Sequence, residues 1–331
     1  MALNLVTGAS GHIGSNLVHQ LLEQGEKVRA LVRASSNVSQ LPAHSNLELV
    51  HGDVYDRASL IRATEGCSLV YHTAAVYSLS RKNPGQILDT AMQGTRNILE
   101  AIKVAGGVRR VVYTSSVAAV GTTIDPSSPL NEESWTSGDD LDEYTRAKLE
   151  SEKLAHSLAK ELGIDLVAVN PSLVLGPMDN KPTPSNKVVV DFLAGKIPAY
   201  LETGFSTVHV GDVARGHILA MQKGRAGERY ILSGENIKLG AFLELLGTVS
   251  GKKPPGLKLP RFLALGMAHV FEATAAITKS DPLATVQSIR GLYGRYGYYD
   301  CAKAKRELGY TFQSLEKTAR ETIAWFQEHP V

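Results

Sequence analysis

Short apolar runs alternate with segments of helical periodicity through the first two thirds of this chain. Leu3, Leu5 and Val6 lead to Thr7, glycines follow at Gly8, Gly11 and Gly14, and apolar residues then recur at Ile13, Leu17, Val18, Leu21 and Leu22. That order predicts a buried strand, a tight glycine turn and an amphipathic helix. Further apolar runs at 27–33, 47–50, 69–72 and 110–114 predict more strands, with a helix over 87–104 before the last of them. Strands alternating with helices in this way predict an α/β fold, a Rossmann doubly wound parallel sheet. At 331 residues the chain exceeds one small core. A dinucleotide-binding domain over 1–175, with a returning segment at about 206–235, leaves 176–205 and 236–331 for a smaller mixed α/β C-terminal substrate lobe.

The glycine turn carries the first chemistry. Gly8 permits a sharp turn, Gly11 lets backbone N–H groups approach a bulky anion, and Gly14 lets the new helix pack closely on the strand. A helix start with unpaired N–H groups and a positive dipole end suits a pyrophosphate. The spacing GxxGxxG is one residue longer than the GxGxxG fingerprint, and an ordinary glycine-rich connection is the bland alternative. The second strand then ends at Val32-Arg33, followed by Ala34-Ser35-Ser36-Asn37, with no carboxylate. An acidic residue there would hold the ribose 2′-OH, whereas a basic one accommodates a 2′-phosphate, so Arg33 points to NADP(H). Asp53, after the third strand, lies either beside the adenine or at the N-cap of a helix starting near Asp56.

A second constellation follows in Ser116, at the end of a strand, and Tyr144 and Lys148, four apart on the face of a predicted helix. A phenol is a poor proton donor at neutral pH, but an ammonium beside it favours the phenolate and fits it for general acid/base work. Ser116 would hydrogen-bond the same substrate oxygen. A surface pair is the alternative for an isolated YxxxK; the glycine turn and the strand-end Ser115-Ser116, in this order, favour catalysis.

These residues, together with Thr7 to Gly14 (TGASGHIG), His72-Thr73-Ala74-Ala75, Gly94-Thr95-Arg96-Asn97, Asn170-Pro171-Ser172 and Val208 to Ala214, make the chain resemble an extended short-chain dehydrogenase/reductase over most of its length. The resemblance implies a catalytic triad of Ser116, Tyr144 and Lys148. It also implies cofactor contacts from Gly8, Ser10, Gly11, His12, Ile13, Arg33, Asp53, Val54, Thr73, Ala74, Ala75, Thr114, Tyr144 and Lys148, with Lys148 on the nicotinamide ribose and Pro171, Ser172 and Leu173 as a loop under the nicotinamide. The segment 28–33 is similar to the NADPH-binding strand of dihydroflavonol-4-reductases, and 170–236 is similar to the hopanoid-associated sugar epimerases. Two positions depart from relatives. Nucleotide-sugar members usually carry arginine where this chain has Phe205, and a ring cannot grip a diphosphate. Ala91 stands where many relatives have asparagine, which bears on a local water or proton relay.

Apolar residues are 43% and charged ones 21%, ordinary for a globular enzyme. The net charge of +2 makes no case for nucleic acid or acidic lipid. Cys67 and Cys301 are far apart and suit buried thiols in a reducing, cytoplasmic setting, and no metal-ligand spacing occurs. No signal peptide or membrane span is expected. Tyr77, Met178, Thr183, Tyr200 and Phe205 are the expected substrate-pocket wall, with core filler the alternative for each. The apolar segment 261–279 is expected to pack inward, a lid being the sharper alternative. The whole reads as an NADP(H)-dependent reductase of an aldehyde or ketone, with a sugar epimerase or dehydratase and a non-catalytic dinucleotide sensor as rivals. The resemblance further implies a homodimer through the helices carrying Ile87 and Tyr144.

Overall fold

The computed structural model describes residues 2–74, 86–138, 141–278 and 284–330. The first half runs β1 (Leu3–Thr7), α1 (His12–Glu23), β2 (Lys27–Val32), β3 (Leu47–His51), α2 (Arg57–Thr64), β4 (Leu69–His72), α3 (Gln86–Ala105), β5 (Arg110–Thr114), α4 (Glu143–Leu162) and β6 (Leu166–Pro171). Then follow β7 (Leu173–Leu175), α5 (Pro184–Leu193), β8 (Ala199–Tyr200), β9 (Gly204–His209), α6 (Val210–Lys223), β10 (Arg229–Leu232), β11 (Glu235–Lys238) and α7 (Leu239–Ser250). The chain closes with β12 (Leu257–Lys258), α8 (Arg261–Thr278), α9 (Val286–Leu292), β13 (Tyr296–Gly297), α10 (Ala302–Leu308) and α11 (Leu315–Glu328).

Seven strands form a parallel sheet in the order β10-β6-β5-β4-β1-β2-β3. Strand alternation feeds two cores. Val6, Tyr71 and Val112 join α1 and α6 on one face, while Leu5, Val70 and Val111 join α2, α3 and α4 on the other. The chain leaves β1 towards β2 and β3, then crosses back to β4, and this reversal opens a crevice at the carboxyl ends of β1 and β4.

The second lobe is built on β9, which pairs with β7, β11 and β13. The lobe boundary therefore falls a few residues from its expected place: Leu173–Leu175 and Gly204–His209 are strands of the second sheet, and the return begins with α6. Phe192, Phe242, Leu246 and Ile323 fill the core of this lobe. Tyr200 and Phe205 pack there as well, Phe205 meeting Phe242 edge-on at 5.4 Å between ring centroids. Neither lines the cleft between the lobes, because the ladders of β8 and β9 place them against the lobe core. Helix α8 corrects a second expectation. It buries Ala264, Ala268 and Ala275 and packs Leu265 beside them, but it turns Phe262, Leu263, Met267 and Val270 to solvent, so only part of its apolar surface packs inward.

Two glycines set the entrance to the crevice. Gly8 has φ of +67°, and a Cβ there would lie 2.7 Å from the Ala74 backbone. A Cβ on Gly14 would sit 2.2 Å from the Gly8 carbonyl oxygen, closer than atoms can approach. We expect Gly14→Ala to cost roughly 1–3 kcal/mol or more by forcing α1 off β1. A thermal melt unchanged from the parent protein would contradict that tight seat.

Candidate active site

A cleft of about 680 Å³ opens at the carboxyl ends of the central strands. Its floor is the turn after β1, where Gly8, Ser10, Gly11, His12 and Ile13 face the space. Gly11 is the N-cap of α1 and offers no side-chain acceptor to the first turn. The N–H groups that open this helix are thus left for a guest in the cleft.

One end of the cleft lies beyond β2 and β3. Arg33 stands there exposed beside Ser35, Ser36 and Asn37, and among the described residues its guanidinium has no hydrogen-bond or ion-pair partner. Asp53 and Val54 line the same end. Asp53 accepts the Tyr55 N–H at 3.0 Å, whereas Asp56 accepts the Ser59 N–H at 3.1 Å and caps α2. The cap reading of Asp53 is therefore overturned: the cap needs a residue immediately before the helix, and Asp56 fills it. Thr73 and Ala74 reach the cleft from the end of β4, held by the Thr73 hydroxyl donating to the Thr7 carbonyl at 2.7 Å. Ala75 and Tyr77 lie outside the described residues.

At the other end Thr114, Ser116, Tyr144 and Lys148 converge. Asp142 caps α4 by accepting the Thr145 N–H at 2.9 Å, which starts the helix with Tyr144 in its first turn. The Lys148 ammonium sits 3.4 Å from the Thr114 carbonyl and 3.5 Å from that of Ser115. The Ser116 hydroxyl accepts the Ala118 N–H at 3.1 Å, and this bond fixes its rotamer at the end of β5. Pro171, Ser172 and Val174 close the floor, with Met178 and Thr183 from the second lobe above. Leu173 was expected here, but strand alternation turns it into the core of the second lobe and presents Val174 instead.

Beneath this end lies a buried network. Glu152, on the same helical face as Tyr144 and Lys148, is fully buried. Its carboxylate accepts from the Ser115 hydroxyl, from the Asn170 amide at 2.8 Å and from the Arg229 guanidinium at 2.6 Å. Asn170 also donates to the Ser116 carbonyl at 3.1 Å. Arg229 lies 3.6 Å from the centre of the Trp135 ring and donates to the Glu132 and Ser134 carbonyls. Burial works against charge on Glu152, but His156, Arg229 and Ser115 together hold its carboxyl below the ordinary glutamate value of 4.5. The spacing of Glu152, four after Lys148, was available in the sequence; its partner Arg229, some eighty residues away, left no local signal.

Burial, aided by the Lys148 charge, pushes His72 down to about 3, so this ring is neutral where it meets the Thr7 hydroxyl at 2.8 Å. A cavity of about 30 Å³ behind Tyr144 and Lys148 is lined by His72, Thr90, Ala91, Tyr113 and Ser151. It has room for one or two waters among polar groups. The arrangement as a whole offers an anion cradle, a long floor, and a phenol, hydroxyl and ammonium at one end.

Known proteins share this architecture. The model of the NAD dependent epimerase/dehydratase family matches residues 4–233. A Synechocystis sp. protein provisionally named dihydroflavonol 4-reductase is 40% identical, the match covering 98% of this chain and 94% of that one. Sterol demethylase protein B of Methylococcus capsulatus is 37% identical, with 98% of each chain covered. The crystal structure of gox2253 superposes with a TM-score of 0.88 at 36% identity, covering 100% of this chain and 99% of that one.

Removing the Glu152 carboxylate leaves the Arg229 charge buried without its partner. We expect Glu152→Ala to lose about 3–5 kcal/mol of folding stability near neutral pH. Because the folded carboxyl titrates below 4.5, its contribution is complete above that value and is lost as pH falls through the lower folded one. Urea melts of both proteins should therefore converge in acid; a gap that is constant from pH 7 to pH 3 would count against this account.

Proposed function

We propose that this chain, which belongs to the NAD dependent epimerase/dehydratase family, reduces an aldehyde or ketone to an alcohol with NADP(H). The observation that carries the cofactor reading is Arg33, whose guanidinium has no partner among the described residues and stands with Ser35, Ser36 and Asn37 at the end of the cleft beyond β2. A 2′-phosphate would give it a charge-assisted bond there. The fit of a dinucleotide rests on the cradle itself: the Cβ positions of Gly8 and Gly14 are closed by backbone, and the uncapped start of α1 faces the same space.

Bound in this cleft, the cofactor would supply hydride to the substrate carbon. The protein's share is proton transfer and polarisation. Ser116 donates its hydroxyl to the carbonyl oxygen, which makes the carbon a better acceptor. Tyr144 delivers its phenolic proton to that oxygen as charge develops on it. Lys148, anchored to the Thr114 and Ser115 carbonyls, holds its ammonium at the same end of the cleft and helps to fix the reacting end of the bound cofactor. Pro171, Ser172 and Val174 form a floor for a flat ring, and Met178 and Thr183 lie where the substrate enters.

The rival within the family is an epimerase or dehydratase of nucleotide sugars, using the same residues for a transient oxidation. Phe205 speaks against it. Its ring is packed on Phe242, and it provides no cation for a diphosphate. Full-length similarity to the dihydroflavonol-reductase-named relative supports reduction instead.

Two substitutions test the reading. Tyr144→Phe should abolish carbonyl-dependent consumption of NADPH while nucleotide binding, followed by fluorescence of the reduced nicotinamide, persists. Appreciable turnover in that variant would refute the proton-transfer role. Arg33→Ala should weaken NADPH by about tenfold or more through loss of a charge-assisted contact, with little effect on NADH; equal losses for both nucleotides would sink the assignment.

A further inference from the structure

The segment that joins β7 to α5 reaches from the second lobe to the dinucleotide-binding domain. Asn16 of α1 donates to the Pro177 carbonyl at 3.4 Å, and the His12 ring interacts with the backbone of Gly176 and Pro177. Farther along, the Asn180 amide donates to the Ser39 hydroxyl at 3.4 Å, on the stretch between β2 and β3. Asp179 between them is buried and accepts from the Thr183 N–H at 2.7 Å and from the Thr183 hydroxyl and the Asn186 amide at 2.8 Å each. Met178 has φ of +61°, a left-handed conformation that a side chain adopts only where its surroundings impose it. Residues 176–181 thus form a strap fastened at both ends, with Met178, Asp179, Asn180 and Lys181 lining the cleft.

Lys181 is the cation this strap carries. A lysine on a loop is ordinarily a solvated charge or half of a surface pair, as Lys187 is with Asp191. Lys181 is exposed but faces the cleft, and its ammonium has no hydrogen-bond or ion-pair partner among the described residues. The contact of its neighbour Asn180 with Ser39 brings it to the end where Arg33, Ser35, Ser36 and Asn37 line the same space. Two carboxylates also border the cleft. Asp179 is engaged by its three donors and Asp53 by the Tyr55 N–H, and neither forms an ion pair with Lys181. The open start of α1 and the Arg33 guanidinium, both on the first domain, already make this region one that receives anions. A third cation on the strap completes the enclosure from the second lobe.

We propose that Lys181 is a ligand of the dinucleotide phosphates, supplied by the second lobe, and that the strap 176–181 holds the nucleotide against the first domain. The inference rests on the nucleotide site proposed above. It adds to that site a contact which neither the glycine turn nor Arg33 requires, and it makes nucleotide binding tie the two lobes together.

Titration of the full chain with NADPH and with NADH, followed by fluorescence of the reduced nicotinamide, tests it without any substrate. Lys181→Ala should raise the Kd about fivefold at low ionic strength. The difference should shrink as salt is added, and Lys181→Arg, which keeps the charge, should retain most of the affinity. The side chain is exposed, and an unchanged thermal melt verifies that each variant folds. Similar losses for both nucleotides assign the ammonium to the pyrophosphate; a loss for NADPH alone assigns it to the 2′-phosphate beside Arg33. Parental affinity of Lys181→Ala for both nucleotides overturns the proposal and leaves the nucleotide site standing, as does a Lys181→Arg variant as weak as Lys181→Ala. A parent protein that binds neither nucleotide overturns the cofactor reading and this inference with it.

Discussion

The carboxylate of Glu152 is the point on which the Tyr144 end of the cleft depends, because four elements meet there through hydrogen bonds and charge. It fastens α4 to the end of β5 through Ser115, to the end of β6 through Asn170, and to the edge strand β10 through Arg229. A charge so far from water is tolerable only when its lone pairs are filled, and here three donors fill them. The consequence reaches Ser116, whose carbonyl takes the second proton of the Asn170 amide. Tyr144 and Lys148 are carried on the helix that Glu152 anchors, so the two side chains share one rigid support.

At the opposite end the constraint is steric. The Gly14 backbone lies so near the Gly8 carbonyl that no side chain fits between them, and Gly8 is equally close to Ala74 at the end of β4. These approaches draw the start of α1 over the crevice made by the sheet's reversal. The dipole of α1 and the exposed guanidinium of Arg33 then give this half of the cleft a positive character, while the hydroxyl groups and Lys148 occupy the other half. One long cleft in this way combines a cationic half with a half lined by hydroxyl groups.

The sheet was readable from the sequence because parallel buried strands are short apolar runs bounded by turn residues, and because βαβ connections admit one handedness. Gly8, Gly11, Arg33, Ser116, Tyr144 and Lys148 each stand at a strand end or on a fixed helical spacing in the sequence, and the fold brings them to one cleft. What could not be read depended on contacts distant in sequence. Arg229 and Glu152 are brought together only when β10 joins β6. Phe205 and Tyr200 look like pocket residues in a list of aromatic groups, and only the pairing of β9 and β8 places them on the core of the second lobe. Leu173 and Val174 show the finest case: adjacent residues of one strand face opposite ways, and the sequence does not say which faces the cleft.

Helix α8 extends the same lesson to energetics. Periodicity finds that a segment is helical and apolar, but a helix apolar over most of its circumference has no polar face by which its orientation can be known. The choice falls to volume. Ala264 and Ala268 permit α8 to lie close against α9 with Leu265 beside them, and Phe262, Leu263, Met267 and Val270 are left on the far side. Such an arrangement gives up the burial of several large side chains, a loss of about 1.5–3 kcal/mol each if they stay in water.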